Sequence, residues 1–131
     1  MLEISPEKVC FLIAKAHQYD AKVEPVESDP ASNSTDDGVL EVLGGYSNDP
    51  VADEMTSVIS DLNEDEQSDL VALVWLGRDG ESAKDWSRFR AEAQRAHNEH
   101  TAEYLMGTPM LGDFLSEGLA YLGLSCEEFE Q

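Results

Sequence analysis

The longest unbroken apolar run in the chain is Leu70-Val-Ala-Leu-Val-Trp-Leu76, set between a strongly polar start and Gly77. Seven apolar residues alone do not separate a helix from a buried strand. The flanks do. Asn63 is a good N-cap, and Glu66 stands three residues later, where a capping-box carboxylate reaches back to the cap N–H. Glu64, Asp65 and Glu66 complement the positive end of a helix dipole, and acids are depleted in strands. The pattern predicts a helix over Glu64–Leu76, ended at Gly77 by a left-handed turn. A helix apolar on nearly every side must be enclosed, so the other segments are expected to pack around it.

Those segments read as amphipathic helices. Ser5 caps and Pro6 opens the first, with Ile4 and Val9 placed to form a hydrophobic staple. Val9, Leu12, Ile13 and Ala16 form its inner face, Phe11 lies off that stripe, and His17 reads as a surface histidine. Asp49-Pro50 repeats the cap-then-proline start for a face of Val51, Met55, Val58, Ile59 and Leu62. Asn63 follows so closely that the second and central helices must form a tight corner. Gly77-Arg-Asp-Gly80 is a turn, and Ser82 with Asp85 resembles a capping pair. Trp86, Phe89, Ala93, Ala96 and His100 then recur at helical spacing, which predicts one long helix from Ala83 to Met106 with a candidate break near Asn98.

Thr108-Pro109 is a third cap-then-proline start, leading a face of Met110, Leu111, Phe114, Leu115, Gly118, Leu119 and Leu122. A glycine inside a helix costs about 1 kcal/mol relative to alanine, so Gly118 implies close approach to a neighbour. Gly123 ends that helix, and Ser125 is placed to cap a last turn carrying Cys126 and Phe129. Every regular element is helical. The expectation is an all-α, single-domain, compact bundle of about five helices around a buried central helix, within the size range of one domain. Residues 1–21 form the N-terminal helix, 22–48 an acidic irregular connector punctuated by Pro25, Pro30, Gly38, Gly44 and Gly45, and 49–131 the helical core. Within the connector, Val39-Leu-Glu-Val-Leu43 fits one helical turn. It reads either as a plug for a gap in the core or as a short motif a partner captures.

Charge changes the picture next. The chain of 131 residues carries 28 acids and 8 bases, a formal net charge of −20. That excludes wrapping nucleic-acid phosphates or binding anionic membranes, and it favours solubility, basic partners, cations or a salty environment. Half of the acids lie between Asp20 and Glu66, where Lys22 is the only base. Arg78, Lys84, Arg88, Arg90 and Arg95 cluster downstream. This polarity biases docking, either of the acidic segment onto the basic helix or of two copies. It adds little stability, since exposed ion pairs contribute about 0–1 kcal/mol. No basic leader with a long apolar core opens the chain, and no run of about 18 apolar residues occurs, so neither a signal peptide nor a membrane span is expected. Cys10 and Cys126, only two cysteines and at opposite ends with no close spacing, do not make a zinc site or a disulfide framework. They are expected to be two buried thiols in a reducing cytosol, a disulfide between the chain ends being the less favoured alternative.

Two blocks add a resemblance. Asp65-Glu-Gln-Ser-Asp-Leu-Val-Ala-Leu-Val-Trp-Leu-Gly-Arg78 and Thr101-Ala-Glu-Tyr-Leu-Met-Gly-Thr-Pro-Met-Leu-Gly-Asp-Phe-Leu-Ser-Glu-Gly-Leu119 resemble a bacterial family known only as domain of unknown function 3775, over roughly residues 61–126. The resemblance implies a small bacterial protein. It supplies no activity, cofactor or site residue.

The candidate chemistry is sparse. His97 and His100 share a helix face near Glu99 and Glu103, but a zinc site needs three or four ligands, so neither a metal nor a cofactor is expected. Acids are too dense for any carboxylate pair to stand out, nucleophile signatures are lacking, and Gly77–Gly80 lacks the lysine and strand context of a phosphate loop. No catalytic residue is assigned. Arg78 can hold a carboxylate through two parallel hydrogen bonds. Its bland reading is a structural clamp. Its functional reading is an anionic-ligand pocket with Trp75, Trp86, His100, Tyr104 and Thr108. The leading expectation is a cytoplasmic, non-enzymatic interaction or regulatory module, homodimeric or bound to a protein partner. A small-ligand or metal-dependent enzyme built on the Trp/Arg/His neighbourhood is the second. An acidic DNA mimic and an adaptation to high salt are the third and fourth.

Overall fold

The computed structural model describes residues 2–27 and 50–127. Among these residues there are six α-helices and no strand. They are α1 (Pro6–Glu27), α2 (Pro50–Asp61), α3 (Glu64–Asp79), α4 (Trp86–Ala96), α5 (Thr101–Met106) and α6 (Leu111–Tyr121). The all-α expectation holds. Most of the expected connector, Val39–Leu43 included, lies outside the described residues, as do Asp49 and Phe129.

Local sequence explains the starts of α1 and α3. The Ser5 hydroxyl accepts from Lys8 N at 3.2 Å, ahead of Pro6. Ile4 and Val9, the staple pair, are both buried. α1 continues to Glu27, past the expected end at residue 21. Ala21, Lys22 and Glu24 are good helix formers, and an acidic composition is not in itself a helix breaker. The capping box at α3 is complete: Asn63 Oδ1 accepts from Glu66 N at 2.8 Å, and Glu66 Oε1 accepts from Asn63 N at 3.0 Å.

From Leu70 to Leu76 every residue is buried except Trp75, which is half-buried. Burial also reaches back to Ser68 and Asp69. Gly77, however, does not stop the helix. α3 runs on to Asp79, and its end is Gly80, whose N–H bonds to the Leu76 carbonyl in an extended backbone conformation. Arg78 thus belongs to the last turn of α3. Gly77 is needed for another reason. A Cβ there would stand 2.0 Å from the Phe114 carbonyl oxygen, and one at Gly118 would stand 2.4 Å from the Leu73 carbonyl oxygen. The two glycines mark a crossing where α3 and α6 touch backbone to backbone, as expected for Gly118 and missed for Gly77.

The single long helix from Ala83 to Met106 is also corrected. A 3-10 turn, Ala83–Asp85, precedes α4. The chain then leaves the helix at His97 and re-enters at Thr101. Asn98, the candidate break, is the cause. Its side chain accepts from His100 N at 2.7 Å and its carbonyl from the Thr101 hydroxyl at 3.0 Å, offering the backbone partners outside the helical ladder. The third cap-then-proline start fails too. Thr108 donates its hydroxyl back to the Tyr104 carbonyl at 2.9 Å, and Met110, in a left-handed conformation at φ 60°, stands at the head of α6.

α3 packs along α4 and α6 and touches α5, while α1 lies across α6 and α2, and α2 meets α5. Side chains from all six helices join one buried apolar cluster. Because α1 crosses α6, the chain leaving α6 returns to α1. There Cys10 and Cys126 form a disulfide with Cα atoms 5.5 Å apart. This overturns the expected pair of free thiols. Such a bond persists mainly in oxidising settings, and it closes a loop spanning 116 residues, for which chain entropy alone predicts a stabilisation of about 4–5 kcal/mol. Among the described residues no helix is long and apolar enough to cross a membrane.

Gly118→Ala is expected to destabilise the fold by about 3 kcal/mol or more, since overpacking here would push backbone against backbone. Gly107→Ala, where the new Cβ meets its nearest neighbour at 3.4 Å, serves as the control. Urea denaturation of both variants checks the difference.

Candidate functional site

Three features hold the polar and concave chemistry of the described residues. The first is Asp69, the one ionisable side chain fully buried among them. Its Oδ2 accepts from the backbone N–H groups of Glu3 and of Ile4, the latter at 3.0 Å. Its Oδ1 is paired with the Arg90 guanidinium. Arg90 also donates to the Asp65 carbonyl at 3.3 Å. One carboxylate therefore ties the segment before α1 and the middle of α4 to the central helix. A sequence signal for it existed: Asp69, Leu73 and Leu76 lie at helical spacing on one face, so an acid shares the buried stripe.

The second feature gathers half of the expected ligand site. Trp75 donates its indole N–H to the Tyr104 hydroxyl at 3.0 Å. Arg78 interacts with the same hydroxyl and is held mainly by Asp79, through Nε at 3.0 Å and Nη2 at 2.8 Å. Asp79 raises the Arg78 pKa above its ordinary value; burial opposes this, and Tyr104 adds to the rise. In return Arg78 holds the Asp79 carboxyl below the usual carboxylate range. The cluster is an exposed platform, with Arg78 and Tyr104 each about two-fifths accessible.

The remaining candidates lie elsewhere. Thr108 follows Tyr104 by one turn and bonds to its carbonyl. Trp86 lines a separate depression with Arg90 and Gln94. His100, expected at the core edge, is exposed and paired with Glu103 at 2.8 Å, because the helix that would have carried it inward ends at Ala96. His97 is the packed histidine: its Nε2 donates to Gln67 Oε1 at 2.7 Å, while Gln67 Nε2 donates to the Ile59 carbonyl at 2.8 Å. Among the described residues no group of three His, Cys, Asp or Glu side chains is arranged to hold a metal.

The third feature is a groove of about 700 Å³. Its walls come from the later turns of α1 (Ala16, Tyr19), from Met55 of α2, and from Met106, Met110 and Leu111 around the α5–α6 junction. Asp20, Thr56, Glu103 and Thr108 also line it, and among the described residues no lysine or arginine does. Of the six expected ligand residues, only Thr108 reaches this groove. The sequence could not reveal it, since its walls are contributed by four separate elements and each methionine reads as ordinary core.

The family model described as "Protein of unknown function (DUF3775)" matches residues 52–124, more than half of the chain. The match spans α2 nearly from its start through α6 and excludes α1 and both cysteines. No curated protein and no solved structure matches the chain significantly.

Asp69→Asn is expected to cost about 3–5 kcal/mol, because Arg90 loses its counter-charge in a buried setting. Arg90→Met should cost a comparable amount, and the double variant clearly less than the sum. Denaturant midpoints of the four proteins check this cycle.

Proposed function

This chain belongs to the family of unknown function that its residues 52–124 match, and we propose that it is a non-enzymatic interaction or regulatory module. One observation supports this reading above others. The groove between α1, α2 and the α5–α6 junction is walled largely by methionine, alanine, leucine and proline side chains, which suit contact with another apolar surface. Self-association belongs to the same reading. It is favoured by the separation of the acids between Asp20 and Glu66 from the bases between Arg78 and Arg95, which lets two copies meet with opposite charges.

The second reading, a small-ligand site, draws on the Trp75–Tyr104–Arg78 platform. There an indole and a guanidinium share one hydroxyl, and Asp79 occupies the guanidinium face that an anion would need.

We also propose a cytoplasmic location, which has to accommodate the Cys10–Cys126 bond. Cys10 is buried, which shields that bond from thiol exchange. Alkylation at the moment of lysis is expected to find both cysteines bonded. Two alkylated cysteines would mean that the bond forms only after the chain leaves a reducing cytosol.

The module reading is tested by capture from the source cell with the native chain and a Met110→Asn variant, alongside sedimentation of the purified protein. A protein held by the native chain and lost by the variant is expected, or a mass at twice 14.4 kDa. Identical captures from both, with a monomer in sedimentation and a small molecule carried by the native chain in native mass spectrometry, would favour the ligand reading instead.

A further inference from the structure

We propose that the groove between the later turns of α1, α2 and the α5–α6 junction receives the apolar face of a basic amphipathic helix from another protein. This rests on the module reading and names the partner's chemistry. The chain has four methionines: Met1, Met55, Met106 and Met110. The last three all line this one groove. Methionine is unbranched and polarizable, so a methionine wall reshapes around varied apolar side chains. Met110 is the most exposed large hydrophobic residue described, at 54%. It is also the one non-glycine residue with positive φ among the described residues. A left-handed backbone is disfavoured for a residue that carries a side chain. The fold therefore keeps an apolar side chain on the groove's rim in a conformation that asparagine or glycine would adopt more easily.

Charge selects the occupant. Among the described residues the groove lining includes the acids Asp20 and Glu103, the latter paired with His100, and no lysine or arginine, and the chain as a whole carries −20. A helix with leucine-like anchors at i, i+3 and i+4 and lysine or arginine along its flanks matches both the apolar floor and the surrounding field. A second copy of this chain carries a net −20 of its own, so the overall Coulomb term opposes it even where its bases between Arg78 and Arg95 could face these acids, whereas a basic helix meets no such opposition.

The test uses the full chain labelled with ¹³C at its methionine methyls. Two synthetic helices of about four turns serve as probes, one pairing leucine with lysine and the other leucine with glutamate. The lysine helix is expected to shift the Met106 and Met110 signals and leave Met1 unmoved. It should bind at least about tenfold more tightly than the glutamate helix and weaken as salt screens the rim. Met110→Asn, which suits the left-handed backbone, should weaken binding about tenfold without loss of thermal stability. Equal binding of both helices, shifts confined to other parts of the chain, or no binding would overturn the proposal. Concentration-dependent dimers that Met110→Asn dissolves would assign the groove to a second copy. Binding seen only after Leu40→Asp with Leu43→Asp would assign it to the chain's own segment. Either result would also overturn the proposal. If these probes fail while capture still yields a Met110-dependent partner, the module reading stands and the basic-helix class falls.

Discussion

The backbone contact between α3 and α6 governs the rest of the molecule. At Gly77 and Gly118 there is no room for even a methyl group between the two helices. That distance brings Leu70, Leu73 and Leu76 into the same layer as Leu115 and Leu119, all at 1% exposure or less. At about 25 cal/mol per Å² of apolar surface, a seam of this kind stabilises a small domain far more than its surface charges do. Separating the helices by the width of one methyl would open voids along the whole seam, and interiors tolerate such gaps poorly. α4 then covers a second side of α3, and α1 closes over α6.

Two further ties fix the N-terminal segment to this frame. Asp69 receives two backbone N–H groups from the residues before α1 and pairs with Arg90 of α4. Cys10 binds α1 to the turn after α6. The two act differently. A buried ion pair contributes little net stability, and its strength as a constraint lies in the cost of leaving either partner unpaired. The disulfide restricts the unfolded chain and so stabilises the fold even where its native contacts are modest. Residues 52–124, the part that matches the family, hold the α3–α6 seam and both members of the Asp69–Arg90 pair. They do not include the backbone donors at Glu3 and Ile4 or either cysteine, so α1 is fastened to the family segment by groups that lie partly outside it.

The proposed function draws on what this packing leaves uncovered. Among the described residues most apolar faces are enclosed in one cluster, and the Met55–Met106–Met110 groove is open. The aromatic platform of Trp75 and Tyr104 is polar, satisfied by its own hydrogen bonds and exposed. The Arg78 guanidinium beside it already holds a carboxylate.

The sequence by itself determined the class of fold, the complete capping box at Asn63, the staple at Ile4 and Val9, the burial of Leu70–Leu76 and the need for a small residue at Gly118. These follow from periodicity and from end chemistry, which act within a few residues of chain. Of the six residues it proposed for a ligand site, Trp75, Arg78 and Tyr104 stand together, while Trp86 and His100 lie elsewhere, because the single long helix supposed to carry them is broken after Ala96. Tertiary structure alone decided that Gly77 continues a helix, since the reason lies in the Phe114 carbonyl on another element. It decided that Thr108 bonds backward and leaves α6 to begin after a left-handed Met110, that His97 and not His100 packs inward, and that Cys10 meets Cys126. The groove belongs to the same class. Each of its walls obeys its own local pattern, and only the crossing of α1 over α6 and the corner between α5 and α6 bring them face to face, because contacts between distant segments are set by global packing and leave no periodic mark in the chain.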